Sequence, residues 1–396
     1  MTRKGVWNLQ QVRDKYLQSL WVNDNRLFAW GGNDNGELGN NERGTHYSSP
    51  VQVVGSGANW SSLWLSNNTW RSTCSGVKED GTLWIWGYGS SGSSGTNVSQ
   101  VQYSSPVQIP GTTWTHVSSG GDHTVAPKSD GTLWAWGNNA YGQLGQNENA
   151  TPDLTGYSSP VQVGSDTTWR STNKFQCVGG EQSTYGIKTN GTLWAWGLNE
   201  SGQLGHNNRT YLSSPVQVGG ETTWSQISAN RRCAGAIKTD GTLWVMGLNQ
   251  YYGRLGLNDR TNRSSPTQIP GTDWSTIFVG DKNMCATRTD GTLFVWGQSD
   301  RGNLGINFGS GKGRSSPTQI PGTNWSRGVM GENFSMWRRT DGTLWGAGLN
   351  NGGQLGQNDR TWHSSPIQIG SDTDWEDEIS ISQEALFGLK PGPLTP

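Results

Sequence analysis

Cys233-Ala234-Gly235-Ala236-Ile237-Lys238-Thr239-Asp240-Gly241-Thr242-Leu243-Trp244-Val245-Met246 decides the fold. Two β-prone runs flank an Asp-Gly pair, a strong short hairpin signal, because glycine takes positive φ without steric penalty. The second half, Asp/Asn-Gly-Thr-Leu-Trp/Phe, recurs with its leucine at Leu83, Leu133, Leu193, Leu243, Leu293 and Leu344. A degenerate copy, Asn25-Arg26-Leu27-Phe28, stands near the front. A Ser-Ser-Pro triplet ends at Pro50, Pro106, Pro160, Pro215, Pro266, Pro317 and Pro366, in steps of 49 to 56 residues. A tryptophan follows the proline of each triplet eight to ten residues on: Trp60, Trp114, Trp169, Trp224, Trp274, Trp325 and Trp375. Self-similarity at this period indicates a solenoid, a propeller or an array.

Runs such as Leu-Trp-Ala-Trp-Gly at 133–137 and 193–197 are apolar on both alternating faces, so their strands are covered on both sides. Blades standing face to face supply that cover. Further strands are expected from Pro-Val-Gln-Val segments (Val216 to Val218) and from the residues after each tryptophan (Ser225 to Ala229). Gly, Asn, Thr and β-branched residues dominate the repeats, which argues against a helical solenoid. The fold class is therefore all-β, a seven-bladed β-propeller.

The first unit starts midway, at Leu27-Phe28-Ala29-Trp30-Gly31, and the last stops midway, at Ala385-Leu386-Phe387-Gly388-Leu389-Lys390. Closure of the ring by pairing of N- and C-terminal strands is expected, since it removes two sheet edges. Trp84, Trp134, Trp194 and Trp244 are expected as buried indoles between blades. One buried aromatic hides about 150–250 Å², worth roughly 4–6 kcal/mol gross.

The bulk composition bounds the function classes. Formal net charge is −1 and charged residues are 15% of the 396, so the basic excess of a strong nucleic-acid binder is missing. No run of 18 apolar residues exists, which leaves no candidate membrane-spanning helix. The N-terminus lacks the apolar stretch of a signal peptide, so synthesis and folding in a cytoplasm are expected. Cys74, Cys177, Cys233 and Cys285 lie in four different repeats without a CxxC pair and read as buried thiols. His46, His116, His123, His206 and His363 show no ligand spacing, and neither metal nor cofactor is expected.

The string Asp130-Gly131-Thr132-Leu133-Trp134-Ala135-Trp136 followed by Gly137-Asn138-Asn139-Ala140-Tyr141-Gly142-Gln143-Leu144-Gly145 resembles the repeat of the regulator-of-chromosome-condensation family. Relatives of it stand at 198–205, 349–356 and 31–39, and the resemblance spans about residues 22–390. It implies a seven-bladed propeller whose termini share a blade. The family's founding members exchange guanine nucleotide on a small GTPase and dock on chromatin through a protruding insertion and acidic residues. No convincing counterpart insertion is visible here; the longest unit only adds loop residues around Asn147–Gly156 and Thr172–Gln182. The family's Gly-x-x-His-Thr survives once, at Gly120-Gly121-Asp122-His123-Thr124, where His123 reads as a structural hydrogen-bonding residue.

Residues 1–21 form an N-terminal extension, residues 22–390 the propeller, and residues 391–396 a tail. Leu9, Val12, Tyr16 and Leu20 fall near one helical face, with Trp7 and Trp21 bracketing a short helix capped by Asn8 and Gln11. A helix this short must dock on its own propeller or on a partner. The stretch Thr2 to Asp14 resembles the N-terminal segments of structural proteins from tailed bacteriophages.

No nucleophile elbow, phosphate loop or His-Glu-x-x-His appears, and Asn33-Asp34-Asn35-Gly36-Glu37 reads as a turn rather than a calcium loop. One surface feature recurs: Asn207-Asn208-Arg209-Thr210, Asn258-Asp259-Arg260-Thr261 and Asn358-Asp359-Arg360-Thr361, with Asn41-Glu42-Arg43 looser. Repeat symmetry places Arg43, Arg209, Arg260 and Arg360 on one rim, as a turn or as donors to a neighbouring subunit or an anionic glycan. With Trp7 and Tyr16, these are the candidate partner-binding residues. The function expected is a non-enzymatic structural or adhesion component of a tailed-phage virion. Its partners would be other virion proteins and a host glycan or receptor, with no nucleic acid. The alternatives are a cytoplasmic bacterial interaction module and a lectin using Tyr141, Tyr251 and Tyr252; nucleotide exchange ranks last.

Overall fold

The computed structural model describes residues 25–54, 59–66, 72–148, 156–307, 311–382 and 385–392. Among them every regular element is a strand, and the strands form seven four-stranded antiparallel sheets. One blade shows the plan: Trp224–Ala229, Cys233–Lys238, Leu243–Gly247 and Arg263–Ile269 lie side by side in chain order. The innermost strands are Trp60–Leu65, Ser118–Ser119, Cys177–Gly179, Trp224–Ala229, Trp274–Val279, Trp325–Met330 and Ile379–Ile381. Each touches the next around a common axis, and the last touches the first. The protein is a seven-bladed β-propeller. Blades are numbered here from the sheet that begins at Trp60.

Blade 7 draws on both ends of the chain. Arg26–Gly31 pairs with Ala385–Lys390, Arg26 opposite Lys390 and Gly31 opposite Ala385, while Tyr47–Gln52 flanks its other side. Phe387 is fully buried there and meets Trp86 of blade 1 at 5.7 Å. The extension with Trp7 and Tyr16, and the helix expected in it, lies outside the described residues.

The Asp-Gly turns fold by local chemistry. Gly241 has φ +75°, and a Cβ there would stand 2.3 Å from the Thr272 carbonyl oxygen, so both conformation and space demand glycine. The Asp240 carboxylate accepts the Thr242 N–H (3.0 Å) and hydroxyl (2.7 Å), and the Trp244 indole N–H donates to that hydroxyl oxygen (2.9 Å).

Two expectations need correction. Ser-Ser-Pro lies inside the outermost strand, as in Leu212–Gln217, rather than before it. The sheet edge is where a residue without an N–H costs no ladder bond. That edge also has a partner. Asn41, Asn97, Asn147, Asn207, Asn258, Asn307 and Asn358 all take left-handed φ of 53–65°, which asparagine tolerates. Each donates its backbone N–H, at 2.6–3.0 Å, to the carbonyl of the first serine of the next blade's triplet, and Asn358 to Ser48 completes the circuit. Second, Trp84, Trp134, Trp194 and Trp244 are half-buried. The indoles that fill the space between blades are others. Trp60, Trp114, Trp169, Trp224, Trp274, Trp325 and Trp375 are at most 3% exposed, and Trp30, Trp86, Trp136 and Trp196 each donate to a carbonyl of the preceding blade at 2.7–3.0 Å.

Candidate functional site

Antiparallel order gives the two faces of the disc different content. Turns from second to third strand, together with the blade-to-blade connections, form one face. It carries six near-copies of Asp/Asn-Gly-Thr, and the chain enters at Arg26 and leaves at Lys390 there. Turns from first to second strand and loops from third to fourth form the other face. Residues constant through the repeat are those the fold needs, so solvent-facing residues that break the repeat are free for recognition. Such residues stand on both faces, in the blade-to-blade connections of the first and in the third-to-fourth loops of this second face.

Arg209, Arg260 and Arg360 lie exposed in its third-to-fourth loops. Their turns are held by side chains: Thr210, Thr261 and Thr361 each donate a backbone N–H to Asn208, Asp259 or Asp359 at 2.9 Å. None of these three guanidinium groups forms a hydrogen bond or ion pair among the described residues. Arg43 differs, because it bonds Gln102 of the next blade through both the amide oxygen (2.8 Å) and the carbonyl, and so works as a staple. The four fall as two neighbouring pairs, blades 3 and 4 and blades 6 and 7, rather than an even ring. Tyr141 packs edge-on to Tyr211 (5.7 Å), while Tyr251 is 57% exposed.

A cluster that sequence reading missed surrounds Tyr251. Arg231, Arg232, Arg254 and Lys282 border a depression of about 390 Å³. Arg254 stands where other blades have Gln143, Gln203 and Gln354, whose amide oxygens accept local backbone N–H groups. A guanidinium cannot accept, so Arg254 turns to the Asp281 carbonyl of the next blade at 2.9 Å. The cations do not stand alone. Arg231 meets Glu181 at 3.1 Å, Arg232 meets Glu200 at 3.4 Å, and Lys282 meets Glu332 at 2.6 Å. Burial lifts the Glu181 carboxyl to about 7 despite the Arg231 charge, and burial also raises Asp281.

Two of the five histidines and all four cysteines are absorbed by the core. His123 is buried, its Nε2 2.9 Å from the Thr184 hydroxyl, and burial lowers it to about 4. His116 is lowered to about 3 by burial and by Lys174. The four thiols are free and buried, with Cys233 pushed up to about 11 and Cys177 to about 12. Among the described residues no three of His, Cys, Asp and Glu group as metal ligands.

The extra residues of the longest unit have a defined task. Only part of the expected loop is loop, since Cys177–Gly179 is the inner strand of blade 3. The residues before it carry Lys174 into the axis, where its ammonium meets Glu378 of blade 7 (2.6 Å) and the Leu63 carbonyl of blade 1 (3.4 Å). Arg327 of blade 6 lies over the Phe175 ring at 4.6 Å. The axis is bolted at that end.

Within the blades, one arrangement repeats seven times. Lys78, Lys128, Lys188, Lys238, Arg288, Arg339 and Lys390 each lie over two aromatic rings, at 3.7–5.6 Å from the centroids. Grooves of about 570 Å³ and about 520 Å³ open beside Lys128 and Lys238.

The RCC1-like domain family matches residues 17–325. Human WBSCR16 superposes with a TM-score of 0.75 at 20% identity, covering 93% of this chain and 99% of that one. Yeast RCC1 (Prp20), solved bound to Kap60, gives 0.75 at 17% identity over 99% of this chain and 95% of its own. Prp20p from Saccharomyces cerevisiae, described with its binding to Gsp1p and histones, gives 0.75 at 17% over 94% and 92%. No curated protein sequence matches the chain.

Proposed function

Because the chain belongs to the RCC1-like domain family, we propose that it is a non-enzymatic binding disc, used as a structural or adhesion component of a tailed-phage particle. The observation that carries this reading is the polarity of the disc. The chain enters and leaves on the face that carries the Asp/Asn-Gly-Thr turns, while Arg209, Arg260 and Arg360, without a partner among the described residues, stand on the opposite face. A protein held through its N-terminal extension would present those arginines outward. Protein binding fits the related Prp20 structures, one solved with Kap60 and one described with Gsp1p and histones. The particle itself is supported by the likeness of Thr2 to Asp14 to phage structural proteins. Partners would be neighbouring particle proteins through the arginine loops, and a host receptor or glycan beyond them. A cytoplasmic bacterial interaction module is the second reading, favoured by the same unpaired arginines.

Mass spectrometry of purified particles tests the assignment, and absence of the chain from them overturns it. The triple variant Arg209→Ala/Arg260→Ala/Arg360→Ala should keep its melting transition and lose about tenfold or more in assembly or attachment. Unchanged attachment removes the arginines from the reading.

A further inference from the structure

The groove between blades 1 and 2 has a chemistry that the repeat does not require. Its floor is the Lys128 ammonium, 4.1 Å from the centroid of Trp134 and 4.6 Å from that of Trp114. In four of the other six blades the corresponding cation meets a carboxylate from the loop before the conserved tryptophan, while Lys78 and Arg339, like Lys128, form no ion pair among the described residues. Lys188 has Asp166, Lys238 has Glu221 at 2.9 Å, Arg288 has Asp273 at 3.5 Å, and Lys390 has Asp372 and Asp374. Blade 2 offers Gly111, Thr112 and Thr113 there. The Asp130 carboxylate on the adjacent turn is held by the Thr132 N–H and hydroxyl. Lys128 therefore has no ion-pair partner among the described residues. Ring quadrupoles hold the ammonium in place, and the Asp130 charge acts on it from beyond ion-pair distance, so its N–H donors stay open to an anion in the groove.

The walls say what kind of anion fits. Trp134 is half-buried, and Tyr103 and Pro110 extend its apolar surface. Asn97 accepts from Ser159 at 3.4 Å through its amide oxygen, which leaves its NH₂ to donate, and the Gln108 amide is exposed without a partner among the described residues. About 570 Å³ lies inside the range of about 300–1,000 Å³ usual for small-ligand pockets. Flat apolar rings suit the C–H face of a pyranose, amides suit its hydroxyls, and the bare ammonium suits one carboxylate. We propose that this groove binds an acidic sugar residue, a uronic-acid-type unit of a glycan, with Lys128 meeting the carboxylate and Trp134 the ring. The groove between blades 3 and 4, beside Lys238, is the internal control, since Glu221 already neutralises its cation.

The test uses the purified full chain and saturation-transfer NMR with glucuronate, and glucose, acetate and a tri-glutamate peptide as the other arms. It reads binding in solution, so it can fail while the particle assignment stands, and the reverse. Glucuronate should bind through its ring protons, with glucose, acetate and the peptide at least about tenfold weaker. Thr113→Asp places a carboxylate where blades 5 and 7 have Asp273 and Asp374, leaving Lys128 and both rings intact. Thr113 and Asp273 hold the same backbone bond, to the N–H of Ser129 and Thr289 at 2.9 Å, so the change fits the fold. It should weaken glucuronate about tenfold or more with an unchanged melting transition, as should Lys128→Met. Glu221→Gln, which frees Lys238, should add a second site. No transfer to glucuronate, equal binding of glucose or acetate, preference for the peptide, or full binding by Thr113→Asp would each overturn the proposal.

Discussion

Lys174 and Glu378, 204 positions apart in the chain, form a 2.6 Å ion pair across the axis of the ring. Lys174 is 5% exposed in its side chain, and burial lowers its ammonium to about 8, with the Arg327 charge adding to the fall. The pair joins blade 3 to blade 7 across the ring, and it was not demanded by any repeat position.

Removing either partner should have unequal effects. Glu378→Gln leaves Lys174 buried beside Arg327 without its ion-pair partner, a situation that costs about 3–5 kcal/mol. Lys174→Met leaves Glu378 still 3.8 Å from Arg327 and should cost less. Denaturant midpoints check the order. The pH dependence has a definite sign. Between about pH 8 and the ordinary lysine value of about 10.4, the unfolded chain keeps a proton that the folded one has released. The difference in stability between wild type and Lys174→Met should therefore shift in favour of wild type as pH rises through that window.

Glu181 should act in the opposite sense. Its folded value of about 7 lies above the ordinary carboxylate range because of burial, so the folded state binds the extra proton. Its contribution to stability falls as pH rises from about 4.3 to about 7 and is flat above. Glu181→Gln should match wild type near pH 4 and gain on it by pH 7.5, as read from thermal melts at both.

The Thr132 hydroxyl receives the Trp134 indole N–H at 2.9 Å and donates to Asp130 at 2.7 Å. In blade 5 the ring is Phe294, so Thr292 keeps only the bond to Asp290. Thr132→Val should therefore be more destabilising than Thr292→Val by about 0.5–1.5 kcal/mol, the usual net value of one hydrogen bond.

Phe387→Ala should cost about 3–5 kcal/mol, because the ring is wholly buried against Trp86 across a blade boundary. Deleting residues 376–396 removes two strands of blade 7 and leaves Arg26–Gly31 unpaired on one side. Size-exclusion chromatography should then show aggregate that the full chain does not form.

The period of the triplets and the Asp-Gly pairs were enough to read seven four-stranded sheets, since hairpin chemistry is local. The half-units at each end pointed to Ala385–Lys390 as the neighbour of Arg26–Gly31. What lay hidden was direction. Extra length before Cys177 shows in the sequence, but nothing local says that Lys174 turns inward to the axis. The half-exposed position of Trp134 was equally hidden, because both indoles of Leu-Trp-Ala-Trp-Gly look alike until the blades are stacked. Arg254 was legible in principle, because it stands where Gln143, Gln203 and Gln354 do in other blades. Thr113 was not, since Thr168 and Thr223 hold the same position and only the whole loop before Trp114 shows that no carboxylate is present.

The pairing of Arg26 with Lys390 sets how the disc answers to pulling. Both ends leave from the same corner of one antiparallel ladder, so a tug on the two termini loads the outermost bond first and then each bond in turn. Heat must disrupt the packing of every blade together, whereas such a tug peels a single seam. A tether attached at one terminus alone leaves that seam unstressed.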